Sequence, residues 1–304
     1  MIRGASVLAI SLLLLTLPCR AAEIVASRYG AVPDDGMDDS AGLQAAWDAC
    51  KADDTLVLPL GVYALTKPLV WTARFPVHLE AVGAQVQWRG GAATAIVYGG
   101  PSGKQVEGSR WKGLRLLDMQ EGAYHGIASV GLVLQNLVRS EVDVDRVQRF
   151  GRGVVLRGDE RGLTGNRFSF QLVAGCKTSL AIERTAKGWV NNNSVYVHFK
   201  PPTFSGVYPQ DRATVVSIPI FPGTITTGLY FQPGGSCEAT KGALTTMLDV
   251  RADNVTFTDF WFECPSYTPK MTCVGSSPHP GTIRVRGGVQ AGVDWPGGWI
   301  VTEP

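Results

Sequence analysis

Three absences narrow the reading of this chain. It has no Cys-x-x-Cys pair, so it carries no linear zinc or thiol-redox signature. It has no excess charge of either sign: 28 Lys+Arg stand against 26 Asp+Glu, and Arg3 and Arg20 both fall in the first 22 residues, which leaves the remainder formally neutral. A nucleic-acid partner would favour a basic domain, so none is expected. Its most apolar stretch, Val7 to Leu17, is too short to cross a bilayer, and no membrane association is expected once that segment is removed. The composition does not suggest disorder, and the length suits one large domain.

What is present begins with a secretory leader, residues 1–22. Arg3 supplies the basic start, Val7 to Leu17 the apolar core, and Pro18-Cys19-Arg20-Ala21-Ala22 a small-residue exit. Cleavage near Ala21 or Ala22 predicts a secreted or periplasmic protein, in which disulfides are permissible. Cys50, Cys176, Cys237, Cys264 and Cys273 then remain. The expected pair is Cys264 with Cys273, closing the loop 265–272, and the odd count leaves at least one thiol without an internal partner.

The most ordered motif runs from Tyr29 to Tyr63. Tyr29-Gly30-Ala31 leads into Asp34-Asp35-Gly36-Met37-Asp38-Asp39, then an amphipathic helix from Ala41 to Cys50, then Leu56-Val57-Leu58-Pro59-Leu60-Gly61-Val62-Tyr63. This resembles the N-terminal cap of the pectate-lyase-like, single-stranded right-handed parallel β-helix proteins. The resemblance implies an all-β solenoid with a short N-terminal capping α-helix. It predicts a single domain over 23–304, with a cap at 23–63, coils at 64–304, and insertions near 200–227 and 263–281.

A solenoid should repeat, and the chain does. Leu114-Arg115-Leu116, Val142-Asp143-Val144, Phe168-Ser169-Phe170 and Val195-Tyr196-Val197 recur about one coil apart, while the step to Val255-Thr256-Phe257 is about twice as long. A second series follows each of these: Gly131 to Leu134, Gly153 to Leu156, Ser179 to Ile182, Gly228 to Phe231 and Thr282 to Val285. Asn166 and Asn193 precede corresponding strands one coil apart, with Ser140 in the matching place. Stacked asparagines suit such corners, because Asn tolerates left-handed backbone and bonds its own chain.

Outward residues of stacked strands form rows, with neighbours about 4.8 Å apart. Aligning the first series gives Arg115, Asp143, Ser169, Tyr196 and Thr256 as one row; two residues on lie Leu117, Asp145, Gln171, His198 and Thr258. Asp143 and Asp145 are the sharpest catalytic candidates. Residues i and i+2 of a strand share a face about 6–7 Å apart, and an inverting glycosidase needs carboxyls about 6.5–9.5 Å apart. The plainer reading is two solvated charges on an exposed strand. His198 is the third catalytic candidate, as an acid or base near neutral pH or simply as a surface imidazole.

Arg115, Gln171 and Tyr196 on the same rows are substrate-binding candidates, and Glu183 joins them. Arg157 comes from an arginine-rich stretch, Arg139 to Arg167, that could clamp uronate carboxylates or pair with its own Glu141, Asp143, Asp145, Asp159 and Glu160. Asp259 and Trp261 form a later acidic–aromatic cluster able to hold sugar rings, unless Trp261 packs in the core.

The resemblance implies a polysaccharide partner and either a lyase or a glycoside hydrolase acting on an anionic or cell-surface glycan. The polygalacturonase motifs of the fold are not reproduced: Tyr124 precedes His125-Gly126, Arg284-Val285-Arg286 stands where Arg-x-Lys would, and the Asp-Asp pairs lie in the cap. Lyases of the fold use a calcium-bound acidic cluster with an arginine base. No linear signature of that kind is readable here, and Ca2+ would have to be recruited by carboxylates from adjacent coils. The alternative is a non-catalytic glycan-binding or structural adhesion β-helix. Oligomeric state is open.

Overall fold

A computed structural model describes residues 21–119, 128–185, 187–200, 214–218, 229–234, 246–251, 255–258, 271–274, 283–286, 293–294 and 296–302. One turn of the chain shows the architecture. Leu137–Val138 lies in a four-stranded sheet, Glu141–Val144 and Arg146–Gln148 in a fifteen-stranded sheet, and Arg152–Gly158 in a nine-stranded sheet. The next turn then stacks on it in parallel register, Val138 against Thr164, Glu141 against Arg167 and Arg152 against Thr178. Repetition of this pattern makes a right-handed parallel β-helix with one short capping α-helix.

Alternation builds the core. Val142 and Val144, Phe168 and Phe170, and Val195 and Val197 point inward and stack coil on coil. Leu132, Val154, Leu180, Val216 and Leu248 form a matching stack from the nine-stranded sheet. Each fully buried aliphatic or aromatic side chain contributes about 1.5–3 kcal/mol relative to exposure, so the stacks dominate stability.

Helix α1, Ser40–Ala49, closes the N-terminal end by burying Leu43, Ala46 and Trp47, and the Trp47 ring stacks on Trp71 at 5.5 Å. Gly42 has to be glycine, because a Cβ there would lie 2.4 Å from the Ala31 nitrogen. The aspartates of the motif are structural. Asp39 accepts from the backbone N–H groups of Val32 and Ala64, and Asp34 accepts from that of Val62. Burial works to raise the Asp38 carboxyl, but hydrogen bonds from the side chains and backbones of Ser40 and Thr66 outweigh it and hold the group at about 2. Its neighbour Asp39 is raised by burial.

The corner asparagines form a ladder. Asn193 Oδ1 accepts from the backbone and side chain of Asn166, Asn166 Oδ1 accepts from the Ser140 N–H, and the Ser140 hydroxyl accepts from the Ser109 N–H. A left-handed residue precedes each rung: Gly108, Arg139, Gly165 and Asn192 all have positive φ. The turn is therefore the same in four consecutive coils, which keeps the strands after it in register.

The structure corrects several strand placements. Arg110–Lys112, not Leu114-Arg115-Leu116, precedes Glu141–Val144; Arg115 pairs with Arg146 instead of Asp143. The chain bends at left-handed Gly113, so two alternating stretches follow one another on one sheet and only pairing tells them apart. Leu229–Gly234 and Ile283–Arg286 belong to the fifteen-stranded sheet, and Val195 aligns with Phe231 and Phe257 instead of Val255. Thr214–Ile218 and Met271–Val274, inside the expected insertions, continue the nine-stranded sheet. Cys50 and Cys176 are buried free thiols, and burial pushes both up to about 12. The expected partner Cys264 and the leader residues 1–20 lie outside the described residues.

Candidate functional site

The outer face of the fifteen-stranded sheet carries a groove of about 490 Å³, lined by Arg110, Trp111, Lys112, Glu141, Val142, Asp143, Arg167, Ser169 and Gln171. Three consecutive coils build it. Each contributes a strand on which polar residues flank one buried apolar residue: Arg110-Trp111-Lys112, Glu141-Val142-Asp143 and Arg167-Phe168-Ser169. The inward residue anchors the strand in the core, and the two outward ones are thereby aimed at solvent. Trp111 is the firmest anchor, its ring 4.2 Å from Tyr98 and 5.9 Å from Trp71.

Register sets the charge pattern. Arg110, Glu141 and Arg167 are direct cross-strand neighbours in one row, and Lys112, Asp143 and Ser169 in the next. Neighbours in a row stand about 4.8 Å apart. Among the described residues none of these charged groups closes an ion pair, although cations and carboxylates alternate. Asp143 accepts one hydrogen bond, from Gln171 Nε2 at 3.3 Å, and the same nitrogen donates to Ser169 Oγ at 2.9 Å. Glu141 is exposed, and its carboxylate has no hydrogen-bond partner among the described residues. Glu141 and Asp143 thus present two open carboxylates, one alternation apart on one strand.

The other candidates are distributed more widely. Asp145 lies just past this strand, where Arg115 Nε approaches it at 3.4 Å, and neither lines the groove. Arg157 and Glu183 face each other on the nine-stranded sheet, joined by contacts of 3.2 and 2.9 Å, with Arg152 on the other carboxylate oxygen. Tyr196 continues the Asp143 row one coil beyond Ser169 and is exposed; His198 is half-buried further along the same strand. The structure therefore brings Asp143 and Gln171 together, with Tyr196 in the adjoining coil. Asp259 and Trp261 lie outside the described residues.

Sequence reasoning did not reach Arg110 or Lys112; it placed Ser169 on the Asp143 row and Arg167 and Glu141 in the arginine-rich stretch without assigning Glu141 to a reacting pair. Glu141 was findable, because the alternation that exposes Asp143 also exposes the residue two before it. Calcium fits poorly: no third His, Cys, Asp or Glu joins Glu141 and Asp143 among the described residues, whereas the ion takes six to eight oxygen ligands.

No protein-family model matches the sequence, and no curated protein matches it. Solved structures do. ORF18 of Geobacillus virus E2 overlaps with a TM-score of 0.57 at 10% identity, covering 97% of this chain and 61% of that one. The present chain thus spans about three fifths of that structure's length, and the likeness is one of fold. Weaker overlaps include a family 28 exopolygalacturonase of Yersinia enterocolitica (TM-score 0.39, 10% identity, 91% of this chain and 67% of that) and the surface protein and adhesin PfbA of Streptococcus pneumoniae (0.37, 12%, 87% and 88%).

Proposed function

We propose that this is an exported polysaccharide-active enzyme, a glycoside hydrolase whose glycan lies along the solenoid axis in the groove. The observation that carries the reading is the pair Glu141 and Asp143: two carboxylates on the groove's middle strand, with no ion pair among the described residues to consume them. Residues one alternation apart place their side chains about 6.6 Å from each other. That falls in the range of about 6.5–9.5 Å for inverting hydrolysis, which leaves room for a water between sugar and base.

In such a reaction one carboxylic acid gives its proton to the glycosidic oxygen as the bond to the anomeric carbon breaks. The other carboxylate takes a proton from the water that attacks the opposite face. The products are two sugar ends and a pair of carboxyls with protonation exchanged. Arg110, Lys112 and Arg167 line the groove on both sides and would orient the chain; Gln171 holds Asp143 in place.

The test is a panel of soluble glycans incubated with the full chain, read for new reducing ends, for unsaturated-uronate absorbance and for anomeric configuration by NMR. Hydrolysis with inversion, without the unsaturated band, is expected. The band would make the protein a lyase. Binding without product would support the rival, a glycan-binding β-helix.

A further inference from the structure

We infer that the groove selects a glycan bearing a carboxylate on every second sugar, with an uncharged sugar seated over Glu141 and Asp143; the inference rests on the reading of the groove as a glycan site. The observation is banding of charge along the solenoid axis. Into the groove the coil before the pair presents Arg110 and Lys112, the pair's own coil presents only carboxylates, and the coil after presents Arg167 with neutral Ser169 and Gln171. One coil earlier still, Glu80 is the exposed neighbour of Lys112, so the sign changes again. Over these four coils the sign therefore alternates, and the next coil is uncharged at the matching places, Ser194 and Tyr196.

Two coils span about 9.6 Å, close to the repeat of an extended disaccharide. A chain lying along the axis sets roughly one sugar over each coil. Carboxylates on alternate sugars then meet Arg110 with Lys112 at one end and Arg167 at the other. Guanidinium groups receive carboxylates through two parallel N–H donors, and Lys112 adds a point charge. An acidic sugar over the central coil would instead face two carboxylates at contact distance, and like charges so placed cost roughly tenfold or more in affinity. A polymer acidic at every sugar is thus penalised at the central coil, and a neutral polymer leaves the flanking cations without partners.

Titration calorimetry with three hexasaccharides tests this: hyaluronan, which alternates glucuronate with an uncharged amino sugar; galacturonan, acidic at every sugar; and cellohexaose, uncharged. Hyaluronan should bind at least tenfold more tightly than either other probe. Arg110→Gln and Arg167→Gln should each cost it roughly tenfold and cost cellohexaose, which has no carboxylate for them to meet, several-fold less. Glu141→Gln supplies a gain that misfolding cannot mimic, tighter binding of galacturonan. Galacturonan binding as well as hyaluronan to the unaltered chain would overturn the alternation but leave the hydrolase reading standing. Equal binding of cellohexaose, with both arginine variants silent, would overturn the role of charge. Failure of every probe to bind would count against both readings.

Discussion

Two outer faces of the three-sheeted solenoid use the same residue types to opposite ends. On the nine-stranded sheet, Glu183 stands in register with Arg157 and receives Arg152 as well, so both of its oxygens are engaged. On the fifteen-stranded sheet, Glu141 stands in register with Arg110 and Arg167, yet no ion pair forms among the described residues. Surroundings account for the difference. The nine-stranded face carries a buried apolar row of Val133, Val155 and Ala181 beside its charges, which leaves the half-buried Glu183 less water than the exposed Glu141 has. The groove's long side chains are exposed, and water serves them as well as a neighbour does. Cross-strand adjacency of opposite charges does not decide whether they pair. Where solvent leaves them open, a ligand can take water's place.

The largest effect should come from the groove. Asp143→Asn and Glu141→Gln should each lower glycan turnover by about 10²–10⁴-fold, the usual contribution of a general acid or base, with the thermal unfolding midpoint essentially unchanged. Glu183→Gln should leave turnover alone. Equal losses in both would erase the functional distinction between the faces.

Next in size is the corner that sets the groove's register. Asn166→Ala removes the acceptor of the Ser140 N–H and the donor to the Leu137 carbonyl, just before the strand that carries Arg167. Two buried backbone groups lose their partners, at about 1–3 kcal/mol each. Chemical denaturation should show a loss of about 2–5 kcal/mol. A loss under 1 kcal/mol would mean that strand pairing alone holds the coils in line.

Glu183→Gln itself should cost less, about 1 kcal/mol by the same measurement. Its carboxylate is 27% exposed and its arginine partners 41% and 31%, so solvent already competes for all three. A cost near zero would show that the nine-stranded face pairs its charges without gaining stability from doing so.

Much of this fold is legible in the sequence because residue type marks its corners. The Asp-rich turn, the helix after it and Asn166 with Asn193 lie where the spacing predicts, although Asp34, Asp39 and Asn166 bond to backbone in the adjoining coil and not to their sequence neighbours. Register is less legible because alternation is degenerate. Arg110-Trp111-Lys112 and Leu114-Arg115-Leu116 both read as exposed strands, and only hydrogen-bond pairing across Gly113 shows which one faces Asp143. Thr214–Ile218 is rich in β-branched residues and free of Gly and Pro, but it lies between Pro201-Pro202 and Phe221-Pro222 in the expected insertion, and only its pairing with Thr178–Arg184 identifies it as a strand of the solenoid. The site suffers most from this. A register error moves every partner of Asp143, which is how Arg115 came to stand where Lys112 stands.

Asp145 offers the finest test of that error, because it separates the pair suggested by alternation from the pair suggested by the groove. The strand ends at Val144, so Asp145 no longer follows the alternation that places Glu141 and Asp143 on one face. Arg115 reaches it at a long 3.4 Å, with side chains 47% and 34% exposed, so the contact should contribute about 0–0.5 kcal/mol. Asp145→Asn should therefore leave both stability and glycan turnover within about twofold of the parent. A loss of turnover beyond about tenfold, with unfolding unchanged, would return Asp145 to the reacting pair and remove Glu141 from it. The catalytic strand would then act through residues on either side of its end, and the bend after Val144 would be part of the site.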